Sequence, residues 1–267
     1  MLKCPNCEKE LTKTDQSFVC SNHHLFDVSR SGYVNLLLAN ENKRQTGDNQ
    51  EMITARIKFM QAGYYHKLEK LLSGVLASLI NQNSCSIVDC GCGPGFFTNS
   101  LKKTFPKCDV FGVDISKKAI EAASKTYKNI QFIVGNSLRL PFMGNSVDVL
   151  INIFAPHFES ELKRVLKTDG WLVKVVPNTN HLRQLKERLY EAPLFYEPKK
   201  LEQPYWRLIG EVPLTYDEVM TKEPLENLLK MTPYFYTTPS KSLEKLKEVN
   251  TMKITMDFLI YIIKRDN

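Results

Sequence analysis

A chain of 267 residues is long enough for one large domain or two unequal ones, and it can bury a core without help from disulfides. Its composition is 43% hydrophobic and 24% charged with 12 glycines and 13 prolines, which excludes collagen-like, low-complexity and disordered chains. The formal net charge of +7 permits a polyanionic partner but does not require one, because the same excess also serves solubility.

The sequence lacks the patterns of membrane and exported proteins. No run approaches the ~18 consecutive apolar residues of a membrane helix, and the first residues lack the apolar core of a signal peptide. The seven cysteines, an odd number, argue against a disulfide framework. We therefore expect a soluble, cytoplasmic protein with reduced thiols and no membrane partner.

Four potential metal ligands fall within the first 24 residues. Cys4 and Cys7 have two residues between them and present two thiolates from one tight turn, and Cys20 and His24 follow. Three thiolates and an imidazole suit a tetrahedral Zn²⁺ with no vacant position, so the predicted metal is structural and not catalytic. The adjacent His23 could replace His24 as the fourth ligand. We predict a small zinc-binding module over residues 1–38.

Residues 39–81 are predicted to form a linker followed by two helices. Residues 40–50 are polar and include Gly47, whereas apolar residues recur at helical spacing from Glu51 to Asn81. Gly63 interrupts this pattern and is expected to separate the two helices.

Strands and helices then alternate over residues 82–267. The apolar runs predict strands at residues 86–90, 109–113, 130–134, 147–151 and 171–176, with helices between them. A helix at 216–230 and a last strand at 253–263 are expected in the tail. Such alternation is typical of an α/β fold with a doubly wound, mostly parallel sheet.

A glycine-rich turn follows the first of these strands. Asp89 is followed by Gly91, Gly93 and Gly95 at every second position, a spacing that differs from that of dinucleotide-binding turns. Asp114 ends the next strand roughly twenty residues later, where a carboxylate can accept both ribose hydroxyls.

Asn136 and Ser137 follow the third strand, where an adenine edge would lie. The combined pattern is that of S-adenosylmethionine (SAM) methyltransferases. The alternative is a tight strand–helix turn that binds no ligand.

A zinc knuckle joined to this core resembles the bacterial 23S rRNA (guanine-N1)-methyltransferase family, whose Gram-positive branch is linked to macrolide antibiotic resistance. The similar stretches run almost end to end and include residues 26–27, 32–37, 43–44, 47–48, 51–52, 55–56, 62–65, 140–142, 155–156, 181–182 and 231–233. The resemblance implies a class I, Rossmann-like methyltransferase fold with a seven-stranded sheet behind the zinc module. It also favours His24 over His23 as the zinc ligand.

The resemblance further implies where SAM and RNA bind. It adds Tyr65, Pro94 and His181 to the expected cofactor contacts, although Pro94 stands where the family can carry an acidic residue. The complete expected cofactor set is Tyr65, Asp89, Gly91, Gly93, Pro94, Gly95, Phe96, Phe97, Asp114, Asn136, Ser137 and His181. The implied partner is a hairpin loop of 23S rRNA with an unpaired guanine, and the implied assembly is a homodimer whose zinc modules flank a cleft.

Methylation of guanine N1 requires a proton acceptor, because N1 carries a proton at neutral pH. Asp48 and Glu51 are candidates, as are the carbonyl groups of Ala155 and Pro156, and the sequence assigns the role to none of them. Lys43, Arg44 and Arg56 are candidates for the RNA path, although one small basic cluster is more often simply solvated.

Two other functions remain open at this point. A small-molecule SAM methyltransferase with a zinc-stabilised lid would need a closed apolar pocket and no basic cleft. A non-enzymatic zinc-ribbon RNA-binding protein would have no need of the glycines or of Asp114, and their presence disfavours it.

Overall fold

The computed structural model of the protein describes residues 1–38, 48–80, 84–198, 206–232 and 234–266. The N-terminal residues form a three-stranded antiparallel sheet of β1 (Leu11–Lys13), β2 (Ser17–Cys20) and β3 (Leu25–Asp27), in that order. The short strand β4 (Val34–Asn35) leaves this module and joins the larger sheet of the molecule.

The larger sheet is built from strands that alternate with helices. Two helices precede it, α1 (Gln50–Gln61) and α2 (His66–Leu79). The remaining elements follow in chain order: β5 (Ser86–Cys90), α3 (Phe96–Thr104), β6 (Asp109–Asp114), α4 (Lys117–Thr126), β7 (Gln131–Val134), β8 (Val147–Ile153), α5 (Glu159–Val165), β9 (Leu166–Pro177), α6 (Arg183–Leu189), β10 (Trp206–Thr221), α7 (Lys222–Lys230), α8 (Tyr234–Thr237), α9 (Ser240–Lys247) and β11 (Thr251–Arg265).

The sheet order in the described part of the chain is β10-β11-β9-β8-β5-β6-β7-β4. Strands β4 to β9 pair in parallel, whereas β11 runs antiparallel to both β9 and β10. The seven strands from β5 onward match the expected α/β methyltransferase sheet. The sequence did not predict the eighth strand, β4, which the zinc module adds to the edge.

The central strands form because their residues are buried on both faces, as expected for a parallel sheet covered by helices. All five residues of β5 are buried. Helix α3 begins after Gly95, whose φ is +80° and whose added Cβ would lie 2.9 Å from the ring of Phe132. Only glycine meets both the conformation and the close packing at this position.

The zinc module shares one hydrophobic core with the larger sheet. Leu2 and Phe18 are buried in the same cluster as Phe142, and Leu2 also forms a β-bridge with Phe142. The amide of Lys3 donates to the carbonyl of Pro141 at 3.0 Å, and the amide of Leu36 donates to that of Val134 at 2.9 Å. The module is therefore packed directly against β7 and the segment that follows it.

Two expectations were wrong. Residues 216–221 belong to β10 and not to a helix, and the helix begins only at Lys222. Cys85 and Cys108 form a disulfide between the starts of β5 and β6, so the chain is not free of disulfides.

No helix in the described ranges is both long and apolar enough to cross a bilayer.

Candidate functional site

The four predicted zinc ligands converge in the N-terminal module. Their ligand atoms all lie within 4.8 Å of one another. Cys7 Sγ is 3.5 Å from Cys20 Sγ, and His24 Nδ1 is 3.4 Å from Cys20 Sγ and 3.6 Å from Cys4 Sγ. His23 has a positive φ of 60°, is exposed and lies outside this group.

This donor set fits a structural zinc ion. Tetrahedral coordination at Zn–S and Zn–N distances of about 2.3 and 2.0 Å places ligand atoms roughly 3.5–3.8 Å apart, close to the spacings of the cluster. Cys4 and Cys20 are buried, so the ion would be enclosed and would leave no open position for a substrate. The zinc would hold β1, β2 and β3 together in a module too small to be stable through its own core.

A cavity of about 440 Å³ opens at the carboxyl ends of the parallel strands. This edge of a doubly wound sheet is where such folds bind ligands. The cavity is lined by Asp48, Arg56, Gly91, Gly93, Val113, Asp114, Ile115, Gly135, Asn136, Ser137, Leu138, Ile153, Phe154, Ala155 and Pro156. Its volume suits a nucleoside-sized ligand.

The glycine-rich turn forms one wall of this cavity. The amides of Gly91 and Cys92 both donate to the carbonyl of Val113, at 2.8 and 3.0 Å, and hold the turn against the end of β6. Gly91 has a φ of +85°, and an added Cβ would lie only 2.2 Å from Cβ of Ala155. A side chain at this position would therefore push the turn away from the end of β8.

Asp114 lies where the sequence places the ribose acceptor. Its two carboxylate oxygens accept the amides of Gly93 and Ser116, each at 2.8 Å. Burial raises the pKa of Asp114, and these two amides oppose the rise. The carboxylate thus links the glycine turn to the start of α4 while it faces the cavity.

A smaller chamber adjoins the cavity beneath the glycine turn. It is lined by Arg56, Met60, Asp89, Gly91, Cys92, Gly93, Pro94, Phe96, Phe97, Ile153 and Phe154. Asp89 Oδ2 accepts the hydroxyl of Thr98 at 2.6 Å, but no donor among the described residues reaches its buried Oδ1. An unpaired buried carboxylate oxygen fits a ligand that brings an ammonium group, as SAM does.

Three of the expected cofactor contacts line neither of these two spaces: Gly95, Tyr65 and His181. Tyr65 is buried among aromatic rings, with Phe97 at 6.2 Å and Phe258 at 5.7 Å between centroids. The ring of His181 packs on that of Phe258 at 4.6 Å, and its Nδ1 accepts the amide of Asp257 at 3.3 Å. Burial lowers the pKa of His181 to about 3, so its imidazole is neutral at pH 7. Both side chains support Phe154, which lines the cavity, and their direct contact with SAM stays a prediction.

The charged candidates occupy different places. Asp48 pairs with Arg56 at 2.7 Å on the cavity wall, whereas the exposed Glu51 pairs with Lys230 at 3.1 Å. Lys43 and Arg44 lie outside the described residues. Ala155 and Pro156 line the cavity at the end of β8.

Sequence reasoning missed Phe154 and the place of Arg56. Phe154 has a φ of +55°, which is uncommon for a side chain of this size, and its amide donates to the carbonyl of Val175 at 3.1 Å. The apolar run that identifies β8 gives no sign of this turn. The charge of Arg56 gave no sign of its position, because its partner Asp48 lies eight residues earlier and off the helix.

Comparisons with known proteins identify the two parts of the chain that contain these sites. The model of the family described as "RlmA, N-terminal" matches residues 2–45, and that of "Methyltransferase domain" matches residues 87–170. Among solved structures, the YcgJ protein of Bacillus subtilis aligns with a TM-score of 0.51 and 19% identity, over 76% of this chain and 100% of its own. That likeness concerns the fold, and the "Methyltransferase domain" match identifies it as the class I methyltransferase fold.

Curated relatives extend the similarity over the whole chain. "Putative 23S rRNA (guanine-N(1)-)-methyltransferase YxjB" of Bacillus subtilis is 30% identical over 98% of this chain and 96% of its own. The "23S rRNA (guanine(748)-N(1))-methyltransferase" of Streptomyces fradiae is 31% identical over 70% of this chain and 67% of its own. Because the first of these matches spans the zinc module, the SAM core and the tail together, the chain belongs to the 23S rRNA (guanine-N1)-methyltransferase family.

Proposed function

We propose that the protein transfers the methyl group of SAM to N1 of a guanine in an unpaired loop of 23S rRNA. The observation that carries this proposal is the attachment of the zinc module beside the cofactor cavity. The last strand of the module, β4, pairs with β7. The amide of Leu36 donates a hydrogen bond to the carbonyl of Val134, one residue before Gly135, which lines the cavity. A large substrate bound by the module would thus lie next to the methyl donor.

The substrate base has to reach the cavity outside a duplex. N1 lies on the Watson–Crick edge, so the guanine must be unpaired or flipped out. SAM supplies an electrophilic methyl group on its sulfonium, and the new N1–C bond forms as the S–C bond breaks. The N1 proton leaves to an acceptor, and S-adenosylhomocysteine is the other product.

The described residues favour the β8 end as the acceptor side of the cavity. Ala155 and Pro156 line the wall there, and the carbonyl of Ala155, which contacts His157 Nδ1 at 3.4 Å, has a second lone pair that can accept a hydrogen bond from the substrate base. Asp48 is less suited to the role of base, because its carboxylate is held by Arg56 at 2.7 Å. Glu51 is exposed and bound to Lys230.

The family resemblance adds an expected assembly and location. We infer that the chain acts as a homodimer in the cytoplasm, with the two zinc modules on either side of an RNA cleft. Sedimentation equilibrium of the full chain tests the assembly, and a single species of 30.7 kDa would contradict the dimer.

Primer extension on 23S rRNA tests the activity. A methyl group on N1 blocks Watson–Crick pairing, so reverse transcription should stop at the modified guanine in wild-type cells and read through in a deletion strain. The scan should cover the whole 23S rRNA and include guanine 748, the position in the name of the Streptomyces relative. Wild-type protein should restore the stop, and Asp114→Ala should restore it to a smaller extent. An identical stop pattern in wild-type and deletion strains would reject an rRNA target and favour a small-molecule substrate.

A further inference from the structure

Arg56 is an unexpected member of the cofactor site. It lies on α1, yet its side chain lines both the 440 Å³ cavity and the smaller chamber beneath the glycine turn. Its aliphatic stem runs over that turn, since a Cβ added to Gly93 would lie 3.7 Å from Cδ of Arg56. Arg56 is thus placed at the junction of the two spaces.

The guanidinium group is fixed from one side. Nε and Nη2 both bond Asp48 Oδ2, at 3.0 and 2.7 Å, and Nη2 also donates to the carbonyl of Met231 at 3.3 Å. Asp48 is itself anchored, because its carbonyl accepts the hydroxyl of Ser116 at 3.1 Å. No described residue accepts a hydrogen bond from Nη1 of Arg56. A guanidinium group held in this way keeps donors available for a further anion.

The two spaces differ in the chemistry of their walls. Asp114, Asn136 and Ser137 lie along the larger cavity and suit the ribose and adenine of SAM. The smaller chamber contains the buried carboxyl of Asp89, while Arg56 faces both spaces. The amino-acid end of SAM carries an ammonium and a carboxylate group, and a carboxyl wall with a guanidinium group near it matches that pair of charges.

We propose that Arg56 binds the carboxylate of the methionyl group of SAM, with Asp48 as the positioning residue that holds the guanidinium group. The proposal rests on SAM dependence and not on the identity of the RNA target. It also changes the expected role of Arg56, which the sequence placed among residues of the RNA path.

Ligand truncation separates this role from a general effect on the pocket. S-adenosylhomocysteine retains the amino-acid end, whereas 5′-methylthioadenosine lacks it and retains the nucleoside. Calorimetry should show that Arg56→Gln weakens binding of S-adenosylhomocysteine about tenfold or more and leaves that of methylthioadenosine near wild type. Arg56→Lys should recover part of the loss, because it keeps the charge but not the paired donors.

Asp48→Asn should give a smaller loss, again confined to S-adenosylhomocysteine. The matched control is Lys58→Gln, which removes an exposed charge from the same helix, paired with Glu223 at 3.0 Å. It should change neither affinity.

Two calorimetric results for Arg56→Gln would overturn the proposal. They are equal weakening of both ligands and unchanged binding of both. Thermal unfolding of Arg56→Gln and Arg56→Lys checks that both variants are folded. If Arg56→Lys is folded but shows neither a selective loss of S-adenosylhomocysteine binding nor a partial recovery relative to Arg56→Gln, the result also counts against the proposal. These measurements need no RNA substrate, so the two proposals can fail separately. A negative primer-extension result together with a selective Arg56 effect would reject the proposed rRNA activity and leave the role of Arg56 in SAM binding standing.

Discussion

Asp89 shows how one buried carboxyl group couples stability to ligand binding. Its side chain is 1% exposed, with one oxygen bonded to Thr98 and the other without a donor among the described residues. Burial raises the pKa of Asp89 to about 7, a rise that the Thr98 hydroxyl opposes and the charge of Asp114 favours. The ligand-free protein therefore bears a cost at neutral pH that a bound ammonium group would relieve.

Asp89→Asn should make the ligand-free protein more stable at neutral pH. Between about pH 4 and pH 7 the folded state holds a proton that the unfolded state has released, so wild-type stability falls as pH rises through this window. The stability that disappears is on the order of a few kcal/mol. The melting temperature of the variant should thus exceed that of wild type by an amount that grows from pH 5 to pH 8. Asp109→Asn, at an exposed position that starts β6, is the control. A difference that is constant with pH would contradict this account.

Asp114→Ala should weaken SAM binding about tenfold or more, because the ribose hydroxyls lose a charged acceptor. The amides of Gly93 and Ser116 lose the same partner, so the glycine turn also loses a tether. Calorimetry with SAM measures the change, and Asp109→Ala provides the comparison. Unchanged affinity would mean that Asp114 only organises the turn.

Among the elements, the two-residue strand β4 joins the zinc module to the main sheet. It pairs with β7 through Val34 and Asn35 and covers an edge that would otherwise present unpaired backbone groups. The zinc module is therefore both a separate metal-stabilised unit and a part of the main sheet.

Cys4→Ser should release the zinc and unfold the module over residues 1–38 while the SAM core stays folded. Elemental analysis should fall from about one zinc per chain to almost none, and limited proteolysis should cleave within the module. SAM affinity should remain measurable by calorimetry. His23→Ala alters an exposed neighbour outside the cluster and should retain the metal. Full zinc content in Cys4→Ser, or an absence of zinc in fresh wild-type protein, would refute the assignment.

The sequence predicted the elements around the cofactor within a few residues and failed at β10. Strands such as β5 are runs of buried apolar residues bounded by turns, so local pattern is enough to find them. β10 is an edge strand with alternating exposed and half-buried residues. Its residue Tyr216 pairs with Met256, which lies 40 positions later in the chain. Pairing over such a distance leaves little trace in a local window.

The same contrast holds for the site. The sequence named Asp89 and Asp114 because strand ends and glycine turns have fixed spacing along the chain, and the structure places Asp114 on the cavity and Asp89 on the chamber beside it. Arg56 was a candidate for the RNA path on its charge alone, because the sequence does not reveal which residues surround it. Its position depends on the packing of α1 and on the Asp48 ion pair, which form only when the tertiary structure does.

For the molecule as a whole, the net charge of +7 and the proposed RNA substrate predict salt-dependent binding. The double variant Lys43→Gln with Arg44→Gln should weaken binding of an rRNA hairpin. It should also lower the log–log salt slope by at most about 0.9 for each phosphate group that is no longer neutralised. SAM affinity should stay near wild type. Fluorescence anisotropy over a salt series measures the slope.

The control for this pair is Lys103→Gln with Lys107→Gln. These two lysines are exposed: Lys103 lies in the last turn of α3 and Lys107 in the loop before β6, at the opposite edge of the sheet from the cofactor cavity. If the Lys43 and Arg44 pair changes neither affinity nor slope, the RNA surface lies elsewhere or the substrate is not RNA.

The position of the module in the chain sets an order of events during synthesis. The last zinc ligand, His24, is made well before Pro141 and Phe142, against which the module packs. At roughly 5–20 residues per second, the interval is on the order of ten seconds. Throughout that time the zinc module has no docking surface, and its own core is small. Metal capture on the nascent chain would then be what keeps the N-terminal segment ordered until its docking surface exists.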